Sequence, residues 1–154
     1  MDLSVALKTL PLLTNKITGP TSVAIIYDPS NTESKADAER IKSIIDGGLQ
    51  APGDIKLITQ LTSASDLSGL AAAKIAFLAQ GMRSAACKAV AGVAASAGTL
   101  TISTNLDCVK ANQCVLGIVS KPQVEVYFSP VAAEATKIGF ASAFTMLTKQ
   151  AGSM

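Results

Sequence analysis

A chain of 154 residues that is 49% apolar and 16% charged has the make-up of one ordered globular domain, not of a disordered segment. A formal charge of +2 without histidine leaves no basic footprint for nucleic acid, and it removes Ser-His and Cys-His nucleophiles. The longest uncharged run, 89–106, is broken by glycine, serine and threonine, so direct insertion into a membrane is not expected.

The opening "MDLSVALKTLPLLTNKITG" has an aspartate at its start and an interior lysine and proline. It is therefore not an intact signal peptide, and an N-terminal helix is expected over 2–16. "SVAIIYD" (22–28) is a continuous β-branched run, as expected of a strand covered on both faces. Ser30 and Glu33 have the spacing of a capping box for the helix "ESKADAERIKSIIDGGL", with Ala38, Ile41, Ile44 and Ile45 as its apolar stripe. "IKLITQL" (55–61) reads as a second strand. A second box, Ser63 with Asp66, predicts a short helix near Leu67–Ala71. "KIAFLAQ" (74–80) is the third strand, a helix follows over 83–97 with its stop at Gly98, and "LTIST" (100–104) is the fourth. "CVLGIV" and "QVEVYF" predict a hairpin whose last strand, alternating in character, is half-exposed and antiparallel. Ser129 as N-cap and Pro130 in the first turn open a closing helix over 130–149.

These elements predict a single α/β domain over 1–154. It is a three-layer sandwich with a mostly parallel sheet, helices on both faces, and a C-terminal hairpin plus helix. The sheet core spans 21–104, the cysteine loop and hairpin 105–128. With no acidic cluster at the strand ends, and with a hairpin and helix at the close, the pattern departs from flavodoxin and receiver domains.

Three cysteines occur, two of them in "NLDCVKANQC". A zinc site wants about four Cys or His ligands, so no metal is expected, and the spacing is not that of a Cys-x-x-Cys redox pair. A disulfide between Cys108 and Cys114 fits best, worth roughly 2–2.5 kcal/mol for so short a ring. Two reduced apolar cysteines are the alternative. Cys87 reads as a small buried helix residue.

In a parallel sheet of this kind a ligand sits at the carboxyl ends of the strands. Those ends carry Asp28, Ser30 and Asn31, then Gln80 and Arg83, then Thr104 and Asn105. They form a candidate crevice in which Arg83, the one cation, favours a small anionic ligand. No residue pattern supports catalysis: there is no phosphate-cradling loop and no nucleophile elbow. No cofactor is expected. The closing helix carries more apolar side chains than one core-facing stripe needs, and Phe140, Phe144 and Leu147 on one stripe are candidates for a homodimer contact.

Taken in order, "LSVALKTLPLLTNKI", "VAIIYDPSN", "KIAFLAQGM", "LTISTNLDCVKANQCVLGIV" and "VEVYFSPVAAEATKIGFASAFTMLTK" resemble the YfiR-like periplasmic proteins over most of the chain. Departures are "KANQC", where the family usually has Gly-Gly-Met, and Ala143 in place of Ser. The resemblance implies a disulfide in the region of Cys108 and Cys114. It also implies a non-catalytic, dimeric, periplasmic regulator that contacts an inner-membrane partner. That partner would be a signalling protein such as a diguanylate cyclase, or a transporter. From another class, the same fold suits a small-solute-binding domain like one lobe of a type-1 periplasmic binding protein.

Overall fold

A computed structural model describes residues 3–14, 17, 19–49, 55–119, 125–141 and 149–150. The strands are β1 (Gly19–Tyr27), β2 (Ile55–Ser63), β3 (Ile75–Leu78), β4 (Leu100–Ser103), β5 (Leu116–Val119), β6 (Glu125–Phe128) and β7 (Lys149–Gln150). They form one sheet in the order β2-β1-β3-β4-β5-β6-β7. All neighbours are parallel except β5 and β6, which pair antiparallel as the predicted hairpin. The helices are α1 (Leu3–Lys8), α2 (Thr32–Asp46), α3 (Ser84–Ala97), α4 (Leu106–Lys110) and α5 (Pro130–Thr136).

Alternation along the strands divides the core into two layers. Val23 and Ile25 of β1 and Ile75 and Phe77 of β3 pack with Leu3 and Leu7 of α1 and Ala38, Ile41 and Ile45 of α2. Ala24, Ile26, Ala76 and Leu78 point the other way, onto Ala86, Cys87 and Val90 of α3 and Cys108 and Val109 of α4. Strands β1 and β3 are apolar at every central position because each face has a helix over it. The three-layer α/β architecture is the one the helix and strand periodicities predict. The parallel strands also take the doubly wound order 2-1-3-4-5, flavodoxin-like in connectivity despite the missing acidic cluster.

Several local expectations are corrected. The N-terminal helix ends at Lys8 and passes into a 3-10 turn over Leu10–Leu12, because Pro11 has no N–H to continue the ladder. Residues 67–71 hold no α-helix; a 3-10 turn lies at Leu70–Ala72, while Ser63 stays in β2 and Asp66 accepts from Ser68. Ile44 is 46% exposed and lies outside the α2 stripe. Tyr127 is buried, since it joins the layer that holds Cys108 and Val109 of α4 and β7 pairs beside β6.

The closing helix keeps its predicted start, with Ser129 Oγ accepting from Ala132 N, but ends at Thr136. Lys137 takes a left-handed φ of 60° there, and Gly139 follows. The chain then runs beside the N-terminal segment: Thr14 N donates to Gly139 O and Ala141 N to Leu12 O, both at 2.8 Å. Phe140 is consequently a core residue, edge-on to Phe128 at 5.7 Å, not a member of a dimer stripe. Phe144 and Leu147 lie outside the described residues.

The cysteine expectation is also overturned. Cys108 is bonded to Cys87, and Cys114 is the free, buried thiol. Residues 106–110, expected as an irregular loop, form α4 instead. That helical turn aims Cys108 at α3, whereas Cys114 enters the core just before β5. Burial pushes the Cys114 thiol up to about 12, so it is unreactive in the fold. The bridge ties α4 to α3 across 21 residues of sequence and by loop entropy contributes about 3 kcal/mol, more than the short ring would. A tight approach fixes α4 from the other side: a Cβ at Gly117 of β5 would stand 2.5 Å from Val109 Cγ2.

Two measurements follow from this packing. Alkylation of denatured, unreduced protein should label Cys114 alone, and peptide mapping should recover a Cys87–Cys108 pair; a Cys108–Cys114 pair would overturn the assignment. Gly117→Ala should lower stability to urea by about 1–3 kcal/mol, as overpacking does, with α4 and its cap the first part to loosen in hydrogen exchange.

Candidate functional site

The topological switch lies between β1 and β3, whose connections leave the sheet toward opposite faces, and a crevice opens at such a point outside the carboxyl ends of the strands. Here β1 ends in Asp28, which is fully buried. Its Oδ1 accepts from Ser30 N at 3.0 Å and Ser30 Oγ at 2.6 Å. Its Oδ2 accepts from Arg83 N at 3.1 Å and Arg83 Nε at 2.8 Å. The bond from Arg83 outweighs the cost of burial and, with the Ser30 donors, holds the Asp28 carboxyl well below the usual carboxylate range.

Around this carboxylate the chain closes a ring. Asn31 is the N-cap of α2, its Oδ1 accepting from Glu33 N at 3.0 Å. Its Nδ2 donates to Gly81 O at 3.1 Å, so one side chain starts α2 and pins the β3–α3 loop. Gly81 needs its lack of a side chain twice: φ is +76°, and a Cβ would stand 2.5 Å from Asn31 Nδ2. The expected Ser30–Glu33 capping box is thus replaced, with Asn31 the cap and Ser30 bound to Asp28.

Five of the predicted residues meet here: Asp28, Ser30, Asn31, Arg83 and, through its backbone N–H, Gln80. Asn105 and Thr104 sit at the end of the next strand, β4. There Asn105 caps α4 by accepting from Asp107 N at 3.0 Å and donates its own N–H to Ser103 Oγ; among the described residues neither bond reaches the Asp28 ring. Two contributors escaped the sequence. Ser34 Oγ accepts from Asp28 N at 2.9 Å, and Asp37 Oδ2 accepts from Gln80 N at 2.9 Å. Both are buried, and the signal was present: polar residues one turn apart, in line with Ala38 and Ile41 on the inner face of α2.

The side chains of Asp28, Ser30, Asn31, Ser34 and Asp37 are each hydrogen-bonded within the ring, and that of Arg83 only in part. The Arg83 side chain is 66% exposed; its Nε is held by Asp28, and its two terminal nitrogens have no protein partner among the described residues. The ring therefore presents one oriented guanidinium at the mouth of the switch point. Such a planar fork matches a carboxylate.

A cleft of about 400 Å³ opens at the opposite end of the sheet, between Leu13, Ile17, Thr21, Lys74, Lys137 and Ile138. It is chemically less organised than the Asp28 ring. Its lysines are exposed, Thr21 Oγ1 is spent on Gly19 O, and α3 and α5 both end there, at Gly98 and Lys137. Carbonyl ends of helices disfavour anions, so the switch point remains the better candidate.

No protein-family model matches the chain, and no curated protein matches it. Among solved structures, a conserved domain protein of Vibrio cholerae O1 biovar El Tor is similar in fold, with a TM-score of 0.62, 13% identity, and coverage of 96% of this chain and 58% of that one. The ABC domain of Streptococcus pneumoniae, solved in complex with L-Trp, gives a TM-score of 0.61 at 12% identity, covering 94% of this chain and 58% of that one. At these identities the likeness is one of fold, and this chain spans less than two thirds of either protein.

The ring makes a pH prediction. A depressed folded-state pKa means that the stability from Asp28 is complete above the ordinary carboxylate value near 3.9 and is lost as pH falls below it. Asp28→Asn should cost at least ~2 kcal/mol at neutral pH, from hydrogen bonds to a charged group. The gap between variant and wild type in urea titrations should then narrow between about pH 4 and pH 2. A gap constant with pH would show that Asp28 is not held ionised.

Proposed function

We propose that the chain is a small-solute-binding domain, built like one lobe of a type-1 periplasmic binding protein, that takes a carboxylate-bearing ligand at the carboxyl edge of β1 and β3. The observation that carries this reading is Arg83. Its guanidinium is held by a buried carboxylate on one side and open on the other, at the place where this topology positions ligands. Asp28 already balances its charge, so recognition rests on the geometry of the fork rather than on net attraction. That favours a zwitterion such as an α-amino acid over a phosphate or a dianion. The fold neighbour solved with L-Trp supports the same ligand class.

One lobe supplies one wall of a site, and a pocket encloses most of its ligand. The opposing wall would come from a partner. This is where the second reading enters: a YfiR-like, non-catalytic periplasmic regulator docking an inner-membrane signalling protein or transporter. The internal pairing of Asp28, Ser30 and Asn31 favours it, since polar groups already bonded within the chain lower the desolvation cost of meeting a protein partner, which would then have to pair only Arg83. The Cys87–Cys108 bridge suits the oxidising compartment that both readings require, and among the described residues no helix is long and apolar enough to cross a membrane.

Thermal denaturation against a panel of α-amino acids, each paired with its carboxamide, separates the two. The acids, L-Trp among them, should raise the melting temperature and the amides should not. Arg83→Lys, which keeps the charge but loses the fork, should weaken binding about tenfold. No response to any acid at millimolar concentration would remove the solute-binding reading and leave the regulator.

A further inference from the structure

The two ends of the sheet differ. Beyond β6 the chain's own β7 adds a strand, but outside β2 no strand follows among the described residues. This open edge is long. All nine residues of β2 pair with β1 on the inner side, Gly19↔Ile55 through Tyr27↔Ser63, so a full-length ladder of N–H and C=O groups faces outward. Proteins usually blunt such an edge with several charges, a proline or a bulge. In "IKLITQLTS" the only charge is Lys56, while Ile58 and Leu61 are 51% and 36% exposed.

We propose that this edge is a homodimer seam, in which β2 pairs antiparallel with β2 of a second copy about a two-fold axis at Thr59. The register is fixed by the sequence. The alignment that pairs all nine residues sets Thr59 opposite itself, Leu57 opposite the other copy's Leu61, Ile58 opposite Gln60, and Lys56 opposite Thr62. No like charges meet, and on the α2 side of the sheet leucine faces leucine twice, the cross-strand arrangement that stabilises antiparallel pairs.

Charge at the axis is complementary as well. Thr59 Oγ1 donates to Asp46 Oδ1 at 2.6 Å, and Lys42 Nζ lies 3.3 Å from the same hydroxyl, so the Lys42–Asp46 pair of α2 sits over Thr59. Both side chains are partly exposed. An axis through Thr59 runs the two α2 helices antiparallel and places Lys42 of each copy toward Asp46 of the other. A seam one strand long, about 30 Å, buries less than the 1,200–2,000 Å² of a standard stable interface. The second copy is therefore held weakly, and the dimer depends on concentration. This surface is distinct from Phe140, which the fold takes into its own core.

Sedimentation equilibrium of the full chain should show a reversible monomer–dimer equilibrium, and Leu61→Lys should weaken it at least tenfold with an unchanged circular dichroism spectrum. Cysteine substitution tests the register even if that variant folds poorly. Thr59→Cys, on the axis, should form a disulfide-linked dimer under mild oxidation, while Lys56→Cys, which faces Thr62 in this register, should not. A wild-type protein that stays monomeric at millimolar concentration would overturn the proposal, as would equal cross-linking by the two cysteine variants.

Discussion

The carboxylate of Asp28 is the point on which the upper half of the molecule depends. A charged group with no exposure to solvent is stable only when its lone pairs are fully engaged, and here four donors engage them: the N–H and hydroxyl of Ser30 and the N–H and Nε of Arg83. Those donors belong to two different loops. One interaction thus sets the turn that leads into α2 and the start of α3, and it holds β1 and β3 together at the end where the sheet no longer does. Asn31 repeats the device at smaller scale, capping α2 while bonding Gly81 O. With the loops over-determined in this way, the guanidinium of Arg83 is oriented by the fold before any ligand arrives. Preorganisation of that kind lowers the entropic cost of binding.

Much of the architecture was legible because the strands that matter are buried on both faces. Runs such as "SVAIIYD" and "KIAFLA" have no other comfortable home, and the helices between them are long enough to show their period. The candidate site was legible for the same reason: once β1 and β3 are recognised, Asp28, Ser30, Asn31 and Arg83 must lie at their ends. What could not be read is which of several polar neighbours would bond which. Ser30 and Asn31 are both good caps, and the choice between them was decided by Asp28, which needed Ser30 for itself.

The errors cluster where short segments are governed by distant partners. Residues 106–110 make barely more than one helical turn, too few to carry a periodic signal, yet that turn reverses the cysteine pairing by aiming Cys108 at α3. Similarly, "KIGFA" (137–141) reads as the continuation of a helix because alanine and phenylalanine are compatible with one. Lys137 and Gly139 break it, and the partner that takes up Phe140 is Phe128 together with the N-terminal segment around Leu13, more than a hundred residues earlier in the chain. No local pattern encodes such a contact.

Helix α2 links the Asp28 ring to the edge strand β2. Its first turns, through Asn31, Ser34 and Asp37, build the ring around Asp28 and the β3–α3 loop. Its last turns, through Lys42 and Asp46, lie over Thr59 on the edge strand. Both sets of contacts are hydrogen bonds with defined geometry, and Ala38, Ile41 and Ile45 along the same helix are buried against the sheet. A helix clamped along its length moves as one body, because close-packed side chains transmit displacement rather than absorb it. A second copy seated on β2 would therefore bear on the same rigid element that holds Asp28, and through it on the orientation of Arg83.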